Sequence, residues 1–186
     1  MSAVAPGRNN RLTMKTALTY LLLATVAILV GCGSERSSGS SAGMPTRAEI
    51  AYVVDGDTLR VRLAGGELEY IRLVGIDTPE EGPPAECGAG GASSSLTALA
   101  PEGAAVTLRP DSVADERDRY GRILAHAFVG GRQLELAQLR RGWAEVYRFE
   151  GQRFDGLARF ERAEAAARRA DRGIWARCGG DFHSSR

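Results

Sequence analysis

The chain is poor in several things that define protein classes. Aromatic residues make up 6% of its 186 positions, there are three cysteines and two histidines, and Lys15 is the single lysine. Arginine carries nearly all the positive charge, which reads as genome composition rather than chemistry. No internal repeat is visible. The longest apolar run, residues 17–30, has 14 residues, short of the ~20 that a membrane span needs, so a multi-span membrane protein is excluded. A basic excess is also missing. Lys and Arg number 24 against 23 Asp and Glu. Setting aside Arg8, Arg11 and Lys15, the charged residues of the first 32 positions, leaves 21 basic against 23 acidic residues, a net charge of −2. A domain-wide basic surface for nucleic acid is therefore absent, and any polyanion has to be held by a local cluster. What is there is a hydrophobic share of 44%, enough for one core, in a chain of one-domain length. That excludes a wholly disordered or collagen-like protein.

The N-terminus reads as an address. Arg8, Arg11 and Lys15 precede the apolar run, whose length suits a signal peptide. It ends in Leu29-Val30-Gly31-Cys32, which resembles the bacterial lipoprotein signal, in which the cysteine is lipidated after cleavage. An ordinary secretory signal is the alternative, and Met14 is a second sensible start. Residues 33–45, rich in Ser and Gly, read as a flexible tether. The expected organisation is a signal peptide over residues 1–32, the tether over 33–45, one folded domain over 46–178 and a polar tail over 179–186. Export implies an oxidising compartment. Cys87 and Cys178 are the pair left beyond Cys32, so a disulfide between them is expected, two unrelated thiols being the alternative.

The domain opens with strands. Residues 50–54, 58–63 and 67–74 are short runs with β-branched and apolar residues at alternating positions, separated by Asp55-Gly56-Asp57 and Gly65-Gly66, both turn chemistry. Residues 105–109 and 123–129 follow as two more strands. A weak first helix is expected around residues 94–100 after a Gly-rich entry, a second near Leu134 to Trp143, and a long third from Phe154 to Gly173. His126, Trp143 and Trp175 read as structural, and the Arg-rich face of the last helix as a solvated, ion-paired surface.

Three clusters carry chemistry. Asp55-Gly56-Asp57-Thr58 lies on a turn, Arg72 to Glu80 (RLVGIDTPE) where a strand runs into a loop, and Asp118-Arg119-Tyr120-Gly121-Arg122 just before the last long strand. Together they offer hard oxygen ligands for a divalent cation, two separated arginines to grip phosphate, and a spare carboxylate to activate water.

The motifs VVDGDT, IRLVGIDTPE, DRYGR and GIW, in this order, resemble those of the staphylococcal nuclease family over roughly residues 46–175. The resemblance implies a five-stranded OB-fold barrel with about three helices, the last one long. It also implies calcium-dependent hydrolysis of DNA and RNA to 3′-phosphate ends. Position by position, Asp57 and Asp77 match side-chain calcium ligands and Thr78 a backbone-carbonyl ligand, with Asp55 behind them. Glu80 matches the residue that activates water, and Arg72 and Arg122 the two phosphate-gripping arginines. Tyr120 matches a tyrosine near a nucleotide phosphate. The family's base-stacking tyrosine aligns with Arg148, one residue after Tyr147, leaving open which of the two serves.

The functional expectation is a monomeric, membrane-anchored nuclease outside the cytoplasm. The alternative from another class is a catalytically silent barrel that binds nucleic acid or protein. Retention of Asp57, Arg72, Asp77, Glu80 and Arg122 favours the enzyme.

Overall fold

The computed structural model describes residues 46–184; the expected signal peptide, lipidated Cys32 and tether lie outside them. Eight strands form, β1 (Arg47–Val53), β2 (Thr58–Arg62), β3 (Leu68–Leu73), β4 (Ile76–Asp77), β5 (Ala105–Arg109), β6 (Ile123–Val129), β7 (Arg132–Gln133) and β8 (Glu145–Val146). The helices are α1 (Ala89–Leu99), α2 (Leu134–Arg141), α3 (Leu157–Arg169) and the single turn α4 (Ile174–Arg177).

The five long strands pair in the order β3-β2-β1-β5-β6, and a parallel pairing of β3 with β6 closes them into a barrel. Alternation decides the faces: Leu59, Val61, Ile71 and Leu73 are buried, whereas Arg60, Arg62, Tyr70 and Arg72 face out. A register shift between Ile50 and Tyr52 bulges β1 and coils it round the barrel. Antiparallel β4 and β8 pair Asp77 with Glu145. This is the OB-type barrel with helices attached that the resemblance implied, and α3 is the longest helix among the described residues.

Two expectations need correcting. The first helix starts at Ala89 rather than near residue 94. Its glycines are there for contact: a Cβ on Gly91 would lie 2.5 Å from the Trp143 ring, and one on Gly88 (φ +89) 2.1 Å from Ile174 Cδ1. The Ser and Thr side chains do not break it, because Ser93, Ser94 and Thr97 donate their hydroxyls to carbonyls one turn back. Nor is the tail merely polar. Phe182 is 2% exposed and, with Ile174, Cys178, Cys87, Trp143 and Trp175, forms a small second core beside the barrel's own. Cys87 and Cys178 are disulfide-bonded within it. Among the described residues no helix is long and apolar enough to cross a membrane.

Candidate active site

The β1–β2 turn is held from three sides. Asp55 Oδ1 accepts the Asp57 N–H at 3.0 Å and closes the turn locally. Gly56 packs so tightly that a Cβ there would lie 2.6 Å from Thr78 Oγ1 and 2.7 Å from Ala92 Cβ. Gln138 of α2 donates to the Gly56 and Ala92 carbonyls, both at 2.9 Å. Asp57 is thereby driven into the protein at 3% exposure. Its Oδ2 accepts the N–H and hydroxyl of Thr78, each at 3.1 Å. Burial pushes the Asp57 pKa up to about 7; Arg72 opposes the rise, and the charges of Asp55 and Asp77 add to it.

Arg72 leaves β3 on its outer face and reaches across this turn. Its Nε lies 3.1 Å from Asp57 Oδ1 and its Nη2 donates to Asp77 Oδ1 at 2.7 Å. Its Nη1 donates to the Leu73 and Ile76 carbonyls, both at 2.8 Å. The guanidinium thus bridges the two carboxylates expected to bind a cation. Glu80 follows at the exposed rim. Partial burial raises its pKa, the charges of Asp55 and Asp77 raise it further, and Arg72 opposes them. Among the described residues no three Asp, Glu, His or Cys side chains converge to enclose an ion. The donors that fit a hard cation are the Asp57 and Asp77 carboxylates and the Thr78 carbonyl, an all-oxygen set. Asp57 and Asp77 lie on one arginine, Arg72, so the two carboxylates are close enough in the fold to share an ion.

The second arginine comes from the loop just before β6, the strand that pairs with β3. Asp118 Oδ1 accepts the N–H groups of Tyr120 and Arg122, and its Oδ2 accepts Arg122 Nε at 2.7 Å. This turns the DRYGR loop back on itself. A cleft of about 810 Å³ is lined among others by Arg72, Asp77, Tyr120, Arg122 and Tyr147.

A protein-family model described as "Staphylococcal nuclease homologue" matches residues 70–177, more than half of the chain. The chain belongs to the staphylococcal nuclease family. Among curated relatives, the thermonuclease of Staphylococcus hyicus is 29% identical over 171 residues, covering 87% of this chain and 99% of that protein. The thermonuclease of Staphylococcus intermedius is 28% identical over 176 residues, covering 88% and 100%. The SPbeta prophage-derived endonuclease YokF of Bacillus subtilis is 30% identical over 128 residues. That match takes in 68% of this chain and 43% of the relative. The enzyme class is thus a phosphodiester-hydrolysing nuclease.

Within this staphylococcal nuclease fold the cleft is lined by half of the expected residues: Arg72, Asp77, Tyr120, Arg122 and Tyr147. Arg148 is exposed and lies outside the lining, whereas Tyr147 is part of it. Glu80, Asp57, Thr78 and Asp55 do not line the cleft. Reading the sequence put Asp118 in a chemistry-bearing cluster without giving it a role, and missed Gln138, Phe149 and Arg153. Phe149, 61% exposed, and Arg153 both line the cleft. Gln138 had no signal, because its partners lie 82 and 46 residues away.

Proposed function

We propose that this chain is a calcium-dependent nuclease that cleaves DNA and RNA to 3′-phosphate ends outside the cytoplasm. The observation that supports the reading is that Arg72, Asp77 and Arg122 line one cleft while Arg72 also bonds Asp57, whose other oxygen accepts the Thr78 N–H. Asp57, Asp77 and the Thr78 carbonyl would hold the calcium ion, which would supply positive charge to polarise the scissile phosphate. Arg72 and Arg122 bind its oxygens and meet the charge added when water attacks phosphorus. Glu80 takes the proton of the attacking water, a role that its raised pKa suits. The 5′-oxygen departs, assisted by Arg122, and the phosphate stays on the 3′ side. Tyr120 stands beside the phosphate, and Tyr147 rather than Arg148 is placed for the base.

Hydrolysis of single-stranded DNA and RNA, with calcium and then with a chelator, tests the reading. Cleavage is expected only with calcium, and Glu80→Gln or Arg122→Ala is expected to lose about 10²–10⁴-fold in kcat without unfolding. No cleavage by the folded, calcium-supplied chain would leave the silent binding module. The chain acts as a monomer in this reading. Residues 17–30 and Cys32 support export and a lipid anchor. Labelled fatty acid should enter the wild-type chain and not Cys32→Ala; equal labelling, or none in either, overturns the anchor and leaves secretion.

A further inference from the structure

The family match ends at residue 177, and the next seven described residues are wired to the loop that carries Glu80. Cys178 is disulfide-bonded to Cys87. Phe182 is buried edge-on against Trp175, ring centroids 5.1 Å apart. Beyond it, the Ser184 carbonyl accepts the Cys87 N–H at 2.7 Å. These three attachments leave His183 among the carboxylates of the site. Its Nδ1 lies 3.4 Å from Glu86 Oε1, and its Nε2 lies 3.2 Å from Glu145 Oε1 and 3.8 Å from Asp77 Oδ2.

Glu86 in turn holds Glu80. Glu86 Oε2 accepts the Glu80 N–H at 2.7 Å, and the Glu86 N–H donates to the Glu80 carbonyl at 2.9 Å. Both backbone polar groups of Glu80 thus end on one residue. Between them residues 81–85 are exposed and bury nothing that would hold the loop in place. An exposed Gly/Pro loop moves freely, yet a catalytic group displaced by ~1 Å can lose about a hundredfold in rate.

We propose that residues 179–184 form a strap that, through Glu86, positions Glu80 for the attack on phosphate. Glu86 and His183 are positioning residues: they touch Glu80, Glu145 and Asp77, not the substrate. The proposal rests on the reading of Glu80 as the residue that activates water.

The test is steady-state hydrolysis of a short DNA oligonucleotide, with calcium, by the full chain and its variants. Glu86→Ala and Phe182→Ala are each expected to lower kcat about tenfold with KM changed less than about twofold, the signature of a lost transition-state interaction. Glu86→Gln, whose amide oxygen still accepts the Glu80 N–H, is expected to restore most of kcat. In a Glu80→Gln background neither variant should lower kcat further, because the strap acts through that carboxylate. Melting temperatures accompany each rate, and if Phe182→Ala does not fold, Glu86→Ala decides. Wild-type kcat in Glu86→Ala, a loss confined to KM, or losses that add in the Glu80→Gln background would each overturn the strap. Wild-type kcat in Glu80→Gln alone would instead overturn the role of Glu80, a separate result.

Discussion

Arg122 owes its direction to Asp118. The carboxylate takes the Nε edge of the guanidinium at 2.7 Å and, with its other oxygen, two backbone N–H groups of the same loop. The terminal guanidinium nitrogens are left for phosphate. Burial raises the Asp118 pKa, but its bonds to Arg122 and to the loop N–H groups outweigh burial, and the net shift is downward. Asp118→Ala is therefore expected to cost about 1–3 kcal/mol of transition-state stabilisation, roughly 5- to 150-fold in kcat/KM. Asp118→Asn, which still accepts hydrogen bonds, should lose less. Steady-state kinetics on one oligonucleotide checks both, and unchanged kcat/KM in Asp118→Ala would show that Arg122 needs no such support. Arg72 is held more heavily still, by two carboxylates and two carbonyls.

Where β5, β6, α2 and the approach to α3 meet, a buried histidine joins the elements. His126 of β6 sets Nδ1 2.8 Å from Glu135 Oε1 on α2 and Nε2 3.1 Å from Asp111 Oδ2 after β5. Asp111 Oδ2 also accepts the Asp155 N–H that leads into α3. Gln133 and the edge of the Phe160 ring complete the surroundings. Both ring nitrogens face carboxylates, so the imidazolium is the form that satisfies the site. Burial by itself would lower the His126 pKa, but the bonds and charges of Glu135 and Asp111 outweigh it and raise the value above 6.5. A raised histidine pKa stabilises the fold fully below the ordinary value, and that contribution is lost as pH climbs through the folded value. Glu135 sharpens the loss. Its complete burial pushes its own pKa up, with His126 opposing, so an uncharged ring leaves its carboxylate without compensation. Melting temperature is therefore expected to fall from about pH 6 to about pH 9 in the wild type and to vary less in His126→Gln. Parallel curves would rule the histidine out as the cause.

The molecule as a whole is tied by one covalent link of long reach. Cys87 and Cys178 stand 91 residues apart in sequence, so their bond restricts most of the unfolded domain. A loop of that length corresponds to about 4.6 kcal/mol in the chain-entropy picture. The Cys87→Ser/Cys178→Ser double variant is expected to lose about that much in urea unfolding; a change near zero would mean that the unfolded chain is already compact. The same bond joins the Glu80 loop to the second core of Ile174, Trp175 and Phe182, so stability and the shape of the site share a support.

Local rules were enough for much of this molecule. The five barrel strands follow from alternation, as in Leu59 and Val61 against Arg60 and Arg62, because a pleated strand sends neighbours to opposite faces. The turns at Asp55-Gly56-Asp57 and Gly65-Gly66 follow from residues that tolerate tight backbone paths, and the long α3 from its 3.6-residue apolar spacing. The carboxylates and arginines of the three motifs were legible as types and as a set, since each motif is contiguous. Contacts between distant segments decided the rest. Helix α1 begins early because Trp143 and Ile174 press onto its glycines, and Gln138 holds a turn 82 residues away. Tyr147 rather than Arg148 faces the cleft because of how the chain leaves β8, and a tail that reads as polar buries Phe182 beside Trp175. Sequence by itself determined which chemistry the chain carries and the strands that present it, because periodicity and turn propensity act over a few residues. Only the tertiary structure decided which groups hold that chemistry in place, because burial and long-range hydrogen bonds exist only once separate segments have packed.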